Sequence, residues 1–345
     1  MINILDSSQQ SMWKQYVERC DDYDMYHTWE YHKISENNKE GAPILFVYSD
    51  EDKLIVFPIL VREIPDSSYK DATSCYGYVG PISRGDLTQA DVLKFQEAFI
   101  KYCNQENIIA VFSRLHPLLS QDTILNNLGA ITQNSLTITV DLKQTLQEQR
   151  AHYRKSTKSE INKLRRIASI QWVDPTQENI DSFMSIYNEN MKRVDASAYF
   201  FFSSSYYQSL LNATEFNTKL AFVTLEGERI ATSLFTFCNH TIQYHLSGTR
   251  NAHLNLAPVK LILDEVRLMG TQEGFLNFHL GGGTGLDQQD PLFRFKRAFS
   301  KKETIFKTFN LVVNHTAYND LCDKALRLAQ TIDENYFPRY RAVFK

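Results

Sequence analysis

The chain has 345 residues, of which 43% are hydrophobic and 22% are charged, and its formal net charge is -3. This length is long for one hydrophobic core and favours two domains. The nearly balanced charge excludes a general electrostatic attraction to nucleic acid or to membranes, so any binding of anions has to come from local clusters of basic residues.

The five cysteines are widely spaced and include no CxxC pair. This pattern argues against a disulfide framework and against a zinc site, and no metal site is expected. The sequence has no run of about 18 apolar residues that could span a bilayer. Residues 1–10 also lack the charged-then-apolar pattern of a signal peptide. A cytoplasmic location is therefore expected.

The first part of the chain predicts a unit of mixed helices and strands. Its predicted elements are helices at 8–19 and 26–34, strands at 44–48 and 54–60, a glycine-tyrosine loop at 75–81, a helix at 90–104, and strands at 108–113 and 136–140. Val92, Phe95 and Phe99 have the spacing of one helix face. The acidic turn at 50–52 indicates a hairpin between the first two strands.

A basic stretch at 143–170 follows, and its start is the predicted boundary between domains at 1–142 and 143–345. The stretch is expected to be helical, and only Glu148 and Glu160 oppose its bases. Those bases are Lys143, Arg150, Arg154, Lys155, Lys158, Lys163, Arg165 and Arg166. A charge run is most often a solvated face. The excess here favours contact with phosphate, which carries no sequence information.

The second part of the chain repeats the order of the first in a longer form. Its predicted elements are helices at 180–193 and 204–211, strands at 220–225, 230–238 and 241–247, a helix at 258–269, and a strand at 275–280. The order of helix, helix, antiparallel strands, helix and strand predicts an internal duplication of one α+β unit, without obvious sequence repetition.

The glycine-rich stretch after the last of these strands is the strongest candidate for a site. Gly281, Gly282 and Gly283 would let the backbone approach a ligand, with N–H groups facing an anion. A lysine among aromatic residues follows at Lys296 and could offset negative charge on a carbonyl or phosphate. The alternative is an ordinary turn followed by a half-buried strand.

Taken in order, these motifs resemble the GNAT (N-acetyltransferase) superfamily, and their duplication resembles the Fem-type peptidyltransferases. The resemblance covers nearly the whole chain. It is carried by DMYHTWEYHKI at 24–34, LIVFPILVR at 54–62, CYGYVGP at 75–81, HYRKSTKSEINKLRR at 152–166, YHLSGTR at 244–250, LAPVKLILDEV at 256–266, LGGGTG at 280–285 and LFRFKRAFS at 292–300. It implies an α+β fold of two tandem GNAT-like domains, each a mostly antiparallel sheet flanked by helices.

The resemblance implies an acyltransferase that moves an aminoacyl or acyl group onto an amine of a cell-envelope precursor, either peptidoglycan or polysaccharide. The implied catalytic residues are Lys296 and the preceding Phe295, and Lys296 would offset charge in the transition state. The implied substrate-binding residues are Tyr76, Tyr78, Arg154, Lys155, Tyr244, Arg250, Gly281, Gly282, Gly283 and Arg294. No tightly bound cofactor is implied, and the donor would be aminoacyl-tRNA or acyl-CoA.

The expected partners are a small-molecule or lipid-linked envelope precursor and the acceptor end of tRNA, with peripheral membrane association and no DNA. Two departures from the family leave alternatives open. The place of the GNAT CoA signature reads SGTRNAHLNLAP at 247–258, which has Arg250 but no glycine pair. The helical arm of the larger Fem proteins has no room between residues 143 and 190.

The alternatives are a CoA-dependent N-acetyltransferase acting on a nucleotide sugar, and a non-catalytic protein of the same fold that binds envelope glycan. The base that would deprotonate the acceptor amine is not identified by the sequence. His245 with His279 is one option, and Asp287 or Asp290 in the glycine-rich loop is another, since loop positions often carry function.

Overall fold

The computed structural model describes residues 1–283, 285, 289–328, 333–334 and 336–344. In this part of the chain the strands are β1 (Ile2–Asp6), β2 (Ala42–Asp50), β3 (Lys53–Glu63), β4 (Lys70–Thr73), β5 (Ile82–Arg84), β6 (Ile108–Arg114), β7 (Ala130–Asp141), β8 (Ala168–Val173), β9 (Asn217–Leu225), β10 (Glu228–Cys238), β11 (Thr241–Thr249), β12 (Asn277–Gly282) and β13 (Lys302–Val312).

The helices are α1 (Gln10–Glu18), α2 (Trp29–Asn37), α3 (Gln89–Gln105), α4 (Asp122–Leu125), α5 (Leu146–Ala151), α6 (Lys155–Ile167), α7 (Gln177–Arg193), α8 (Ser204–Leu211), α9 (Val259–Gln272), α10 (Pro291–Lys296) and α11 (His315–Leu328). Short 3-10 helices lie at Met25–His27, Ala198–Phe200, Asn251–Leu256 and Arg339–Phe344. Within the described residues, no helix combines the length and the apolar character that crossing a membrane requires.

The chain divides into two compact units. The first unit comprises Met1–Asn134 and Ile305–Lys345, and the second comprises Ser135–Thr304. These ranges differ from the predicted domains 1–142 and 143–345, because the chain enters the second unit inside β7 and returns to the first inside β13. No pattern in the sequence indicated this return, and the strand that makes it was not predicted.

Each unit contains a mostly antiparallel sheet with one parallel pair. In the first unit the strand order is β1-β2-β3-β4-β6-β13, with β5 on β3, and β4 is parallel to β6. In the second unit the order is β7-β12-β11-β10-β9-β8, and β11 is parallel to β12. A helix stands between the two parallel strands in the chain, α3 in the first unit and α9 in the second. The predicted duplication of an α+β unit is confirmed.

Local sequence signals explain where several helices begin. At α3, the Thr88 hydroxyl accepts the N–H of Asp91, and the Asp91 carboxylate accepts the N–H of Thr88. At α5, Thr145 and Glu148 form the same reciprocal pair. Such capping boxes satisfy N–H groups that would otherwise lack acceptors at a helix start.

The core of the second unit lies between its sheet and α9. Phe235, Ile242 and Phe278 come from three neighbouring strands, and Ile262 and Val266 come from α9; all five side chains are at most 1% exposed. A separate apolar cluster of the first unit packs α3 on β2 and β3 through Phe46, Phe57, Phe95 and Phe99. Because protein cores are close-packed, these clusters fix the strands that carry the candidate site.

The basic stretch is two helices rather than one. α5 ends at Ala151, Arg154 has an extended conformation before α6, and residues from Ala168 onward form the edge strand β8 instead of continuing the helix. The N–H of Arg154 donates to the carbonyl of Ala298, which holds the break in place. The sequence predicted helix throughout 143–170 because the dense charge hides the change of period.

Candidate functional site

The two parallel strands of the second unit diverge after a short paired stretch. β11 and β12 are in register at Thr241 with Asn277, at Ile242 with Phe278, and at Gln243 with His279. β12 then continues along β7 as far as Gly282, while β11 continues along β10 as far as Thr249. Beyond the Gln243–His279 pair, the facing backbone groups of the two strands are therefore not used by a ladder between them and can meet a ligand.

A β-bulge lies where the strands diverge. Leu234 of β10 is opposite Leu246 of β11, but Phe235 is opposite Tyr244, which makes His245 the extra residue. Bulges re-aim side chains and occur often next to active sites. His245 is half-buried, and its Nε2 lies 2.8 Å from the hydroxyl of Tyr206 on α8.

Lys296 reaches this region from the end of α10. Its Nζ donates to the carbonyl of Gly282 over 2.7 Å and lies 5.8 Å from the centre of the Tyr244 ring. The residue is 8% exposed, and burial lowers the pKa of Lys296 to about 8, while the negative charge of Asp290 acts in the opposite direction. The structure thus brings together Lys296, Tyr244 and Gly282 among the predicted residues.

The side chain of Tyr244 is held by Ser247 and Phe235. Its hydroxyl is hydrogen-bonded to that of Ser247, and its ring stacks at 5.7 Å on Phe235. Burial raises the pKa of Tyr244 to about 12, so the phenol keeps its proton at neutral pH and remains a donor.

The glycines at the end of β12 are required by the packing. Gly281 has a positive φ of 74°. A side chain at Gly282 would lie 2.8 Å from the carbonyl oxygen of Leu136, and one at Gly283 would lie 2.8 Å from a carboxylate oxygen of Asp290. These glycines therefore allow chain segments to pack closely against one another. The backbone group that Lys296 contacts is a carbonyl, whereas the prediction was that N–H groups of these glycines would face a ligand.

Phe295 and Arg294 flank Lys296 differently. The Phe295 ring is half-buried, packs edge-on against Phe299 at 5.8 Å and lies against the core of the second unit, whereas Arg294 is exposed. Asp290, one of the possible bases, caps α10 by accepting the N–H groups of Leu292 and Phe293. Asp287, the other possible base of this loop, lies outside the described residues.

The basic residues fall into two groups. Arg150, Arg165 and Arg267 all donate to the carboxylate of Asp264, which is fully buried, and the Tyr153 hydroxyl donates to it as well. The predicted residues Arg154 and Lys155, together with Lys163 and Arg166, are exposed. The charges of Arg150 and Arg165 are paired with Asp264, so the surface that can meet phosphate is smaller than the sequence indicated.

The segment between β11 and α9 does not fit the diphosphate of CoA. The predicted residue Arg250 is ion-paired with Glu189 at 2.9 Å, and Lys260 is ion-paired with Glu160. The N–H groups of Lys260 and Leu261, in the first turn of α9, already donate to the carbonyls of Ala257 and Pro258. Residues 251–257 include no glycine that would let the backbone come close to an anion.

The predicted tyrosines Tyr76 and Tyr78 belong to the first unit. The carbonyl of Tyr76 accepts the hydroxyl of Tyr31 over 2.8 Å, and burial raises the pKa of Tyr76. The Tyr78 ring packs edge-on against Tyr26 at 5.8 Å and Phe306 at 5.2 Å. Both tyrosines are half-buried, so they hold their loop in place and still present surface to solvent.

Two histidines that the sequence grouped as one possible base have separate hydrogen bonds. His279 is fully buried, and its Nδ1 lies 2.7 Å from the amide oxygen of Gln243, whereas His245 bonds to Tyr206. Tyr206, Ser247 and Gln243 were not predicted from the sequence. Only the alternation of Gln243 with apolar neighbours in β11 could have indicated one of them.

Comparisons with known proteins agree with this architecture. Residues 151–297 match the family described as acetyltransferase (GNAT) domain. The crystal structure of FemX is 12% identical, covers 90% of this chain and 98% of its own, and superposes with a TM-score of 0.73. The structure of L-PGS from Bacillus licheniformis is 13% identical, with coverages of 90% and 94% and a TM-score of 0.60.

A tandem GNAT protein from the clavulanic acid biosynthesis pathway is 6% identical, with coverages of 91% and 99% and a TM-score of 0.50. No curated protein matches the sequence. Identities this low establish the fold alone. The predicted fold of two GNAT-like units, similar to that of FemX, is confirmed.

Proposed function

We propose that this chain is an acyltransferase that moves an aminoacyl group onto an amine of a cell-envelope precursor. The match of residues 151–297 to a GNAT acetyltransferase domain and the similarity of the fold to that of FemX support this proposal. The observation that carries this proposal is Lys296, whose buried ammonium is anchored on the carbonyl of Gly282 beside the point where β11 and β12 diverge.

Lys296 would stabilise the charge that forms during transfer. The acceptor nitrogen attacks the donor carbonyl carbon, and the carbonyl oxygen becomes negative in the tetrahedral intermediate. An ammonium group has three N–H donors; within the described residues Gly282 accepts one of them, and the others would serve this oxygen. One well-placed donor of this kind contributes about 3 kcal/mol to lowering the barrier.

For the donor we favour aminoacyl-tRNA over acyl-CoA. The segment that would have to hold a diphosphate in an ordinary GNAT enzyme has its arginine, its lysine and its first helical N–H groups engaged within the protein. The exposed Arg154, Lys155, Lys163 and Arg166 supply a basic surface for a phosphate-rich donor or acceptor. A polar headgroup or sugar phosphate of a lipid-linked precursor would use the same charges.

The proposal is tested with Lys296→Met, which keeps the length of the side chain and removes its charge. Lys301→Met, at an exposed position, is the matched control. Transfer from alanyl-tRNA to a peptidoglycan precursor is expected to fall at least about 100-fold in the first variant and to stay unchanged in the control. Circular dichroism checks that both variants are folded. Full activity of Lys296→Met would contradict the role given to this lysine.

A second candidate is a CoA-dependent N-acetyltransferase that acts on a nucleotide sugar, which the acetyltransferase description of the matched family favours. Calorimetry separates the two candidates, with acetyl-CoA and aminoacyl-tRNA titrated into the same protein. Heat of binding with acetyl-CoA alone would favour the second candidate, and heat with aminoacyl-tRNA alone would favour the first.

A further inference from the structure

We propose that the segment joining α7 to α8 docks on an anionic lipid membrane, with Tyr199 and Phe201 entering the headgroup layer and the basic Lys192 and Arg193 contacting its phosphates. We call residues 192–202 the docking segment. Docking of this kind goes beyond the proposed function, because it needs neither an acyl donor nor an acceptor amine.

The docking segment exposes large apolar side chains that are close together in the chain. Val194 is 50% exposed, Tyr199 is 47% exposed and Phe201 is 37% exposed. Apolar side chains exposed singly are normal on a protein surface, but a group of them marks a surface that binds a partner. The docking segment is therefore a candidate contact surface.

The backbone of the docking segment has a defined shape. The N–H of Ala196 donates to the carbonyl of Met191, and Asp195 in this turn has a positive φ of 50°. A 3-10 helix follows at Ala198–Phe200. The exposed rings are thus carried by a hydrogen-bonded turn at the end of α7 and by the short helix after it.

The aromatic rings of the docking segment rest on α8. Tyr199 packs edge-on against Phe202 at 6.4 Å, and Phe202 stacks on Tyr206 at 4.3 Å with 16° between the planes. Tyr206 is 5% exposed, and its hydroxyl lies 2.8 Å from Nε2 of His245 on β11. The docking segment is therefore attached to the sheet of the second unit, and a membrane that binds the segment also holds this sheet.

Basic side chains stand beside the exposed rings. Lys192 and Arg193 are exposed at the end of α7, and Asp195 is the acidic residue of the docking segment. Two bases and one acid give the segment a net charge of +1. Aromatic and aliphatic side chains enter the boundary between headgroups and acyl chains, while lysine and arginine are attracted to anionic headgroups. The segment has both components.

The size of the docking segment favours lipid over a second copy of this chain. A stable protein interface buries about 800 Å² on each partner and takes about 20 residues or more from each. The segment has 11 residues, and three of its large apolar side chains are well exposed. A lipid surface accepts a few such side chains, and its affinity increases with the apolar area that they bury.

The charge of the docking segment also favours lipid over nucleic acid. Affinity for nucleic acid comes mainly from several phosphate contacts with lysine and arginine. The docking segment supplies Lys192 and Arg193 for such contacts and opposes them with Asp195. Its exposed surface is mainly apolar and aromatic, which suits the boundary layer of a membrane.

The test measures binding of the full chain to lipid vesicles by sedimentation. One set of vesicles contains phosphatidylcholine alone, and the other contains phosphatidylcholine mixed with phosphatidylglycerol. We expect the wild type to bind the mixed vesicles about 10-fold more tightly than the pure ones. Added salt should weaken binding to the mixed vesicles, because it screens the attraction between the bases and the anionic headgroups.

Two double variants separate the rings from the charges. Tyr199→Ser combined with Phe201→Ser should weaken binding to both kinds of vesicle about 10-fold or more, because apolar area is lost. Lys192→Gln combined with Arg193→Gln should weaken binding to the mixed vesicles about 10-fold. This charge variant should bind the pure vesicles like the wild type.

Control variants carry the same kinds of change on the first unit. Leu93→Ser alters an apolar side chain of α3 that is 45% exposed. Lys101→Gln combined with Arg327→Gln removes one exposed lysine and one exposed arginine. Both controls should bind vesicles like the wild type, and circular dichroism checks that every variant is folded.

A fluorescent label locates the contact directly. The five native cysteines are buried, so an environment-sensitive dye reacts with a thiol added at an exposed position. The emission of the dye on Ala198→Cys should move to shorter wavelength when mixed vesicles are added. The same dye on Leu93→Cys should show no change.

The proposal is overturned if the wild type does not bind the mixed vesicles, or if Tyr199→Ser combined with Phe201→Ser binds them like the wild type. A dimer that is lost in this ring variant, without vesicle binding by the wild type, would assign the docking segment to a second copy. Weaker binding of tRNA with unchanged vesicle binding would assign it to nucleic acid. Acyl transfer is measured separately, so failure of docking leaves the proposed function standing.

Discussion

A single buried amine dominates the candidate site at the scale of residues. Burial brings the pKa of Lys296 to about 8, below the ordinary value of 10.5. Between these two values the unfolded chain holds the proton and the native protein does not, so this residue makes stability rise with pH in that window. Below pH 8 both states hold the proton and the full cost of burying the charge, about 3 kcal/mol, is present.

The lowered pKa of Lys296 leads to a prediction for activity. If the ammonium form of Lys296 supports transfer, the rate falls as pH rises through about 8. Lys296→Arg retains its charge at every accessible pH, so its residual activity should show no such fall. The measurement is the pH–rate profile of both proteins from pH 6 to pH 10. A wild-type rate that rises through pH 8 would instead give the neutral amine the active role.

At the scale of elements, one carboxylate joins three helices. Asp264 on α9 is ion-paired with Arg150 from α5, Arg165 from α6 and Arg267 from α9 itself. Arg267 is only 2% exposed, so its charge depends on this partner. Removing one member of a buried ion pair leaves the other uncompensated, which costs far more than the pair itself contributes.

Asp264→Asn is therefore expected to destabilise the second unit by about 3 kcal/mol or more. Urea denaturation followed by circular dichroism measures the change. Glu265→Gln is the matched control, because its contact with Arg165 is at the surface, with side chains 39% and 42% exposed, and such pairs contribute about 1 kcal/mol or less. If both variants changed the free energy of unfolding equally, Asp264 would not be the shared partner that stabilises these three helices.

At the scale of the whole molecule, the C-terminal segment completes the first unit. The buried carboxylate of Asp71 on β4 accepts from Arg62, from the Tyr340 hydroxyl and from Arg341. Asp71 is fully buried and Tyr340 is 2% exposed. The 3-10 helix at the end of the chain is thus attached to the sheet by charge-assisted hydrogen bonds.

Asp71→Asn is predicted to destabilise the first unit by about 3 kcal/mol. Trp13, a fully buried residue of α1, reports on this unit through its fluorescence once Trp29 and Trp172 are replaced by Phe. The midpoint of urea unfolding should fall in Asp71→Asn and stay in place in the exposed control Asp320→Asn. An unchanged midpoint in both would show that the terminal segment is not held by Asp71.

The duplication could be predicted from the sequence because its signals are local. The helices α3 and α9, which precede β6 and β12, have clear apolar spacing. The antiparallel pairs β2–β3 and β9–β10 have turn residues between their strands. β13 escaped prediction because its first residues are largely exposed and show little alternation. Its place beside β6 depends on a pairing between residues roughly 200 positions apart.

The same division holds for the site. Lys296 could be predicted from the resemblance, whereas its contact with the carbonyl of Gly282 depends on the packing of α10 against β12. The sequence could not show that Arg154 is exposed and that Arg150 is ion-paired, because the partner of Arg150, Asp264, lies 114 positions further along the chain. The position of His245 as the extra residue of the β-bulge could not be predicted, because the register of β10 and β11 shifts there at a single position.

The return of the chain through β13 has a consequence for synthesis on the ribosome. The second unit occupies a continuous segment, and its two ends meet where the Thr137 hydroxyl donates to the carbonyl of Thr304. The sheet of the first unit, although its residues come first, lacks a strand until β13 has emerged. Domains fold as units during translation, so the unit that is begun first is the one that is finished last.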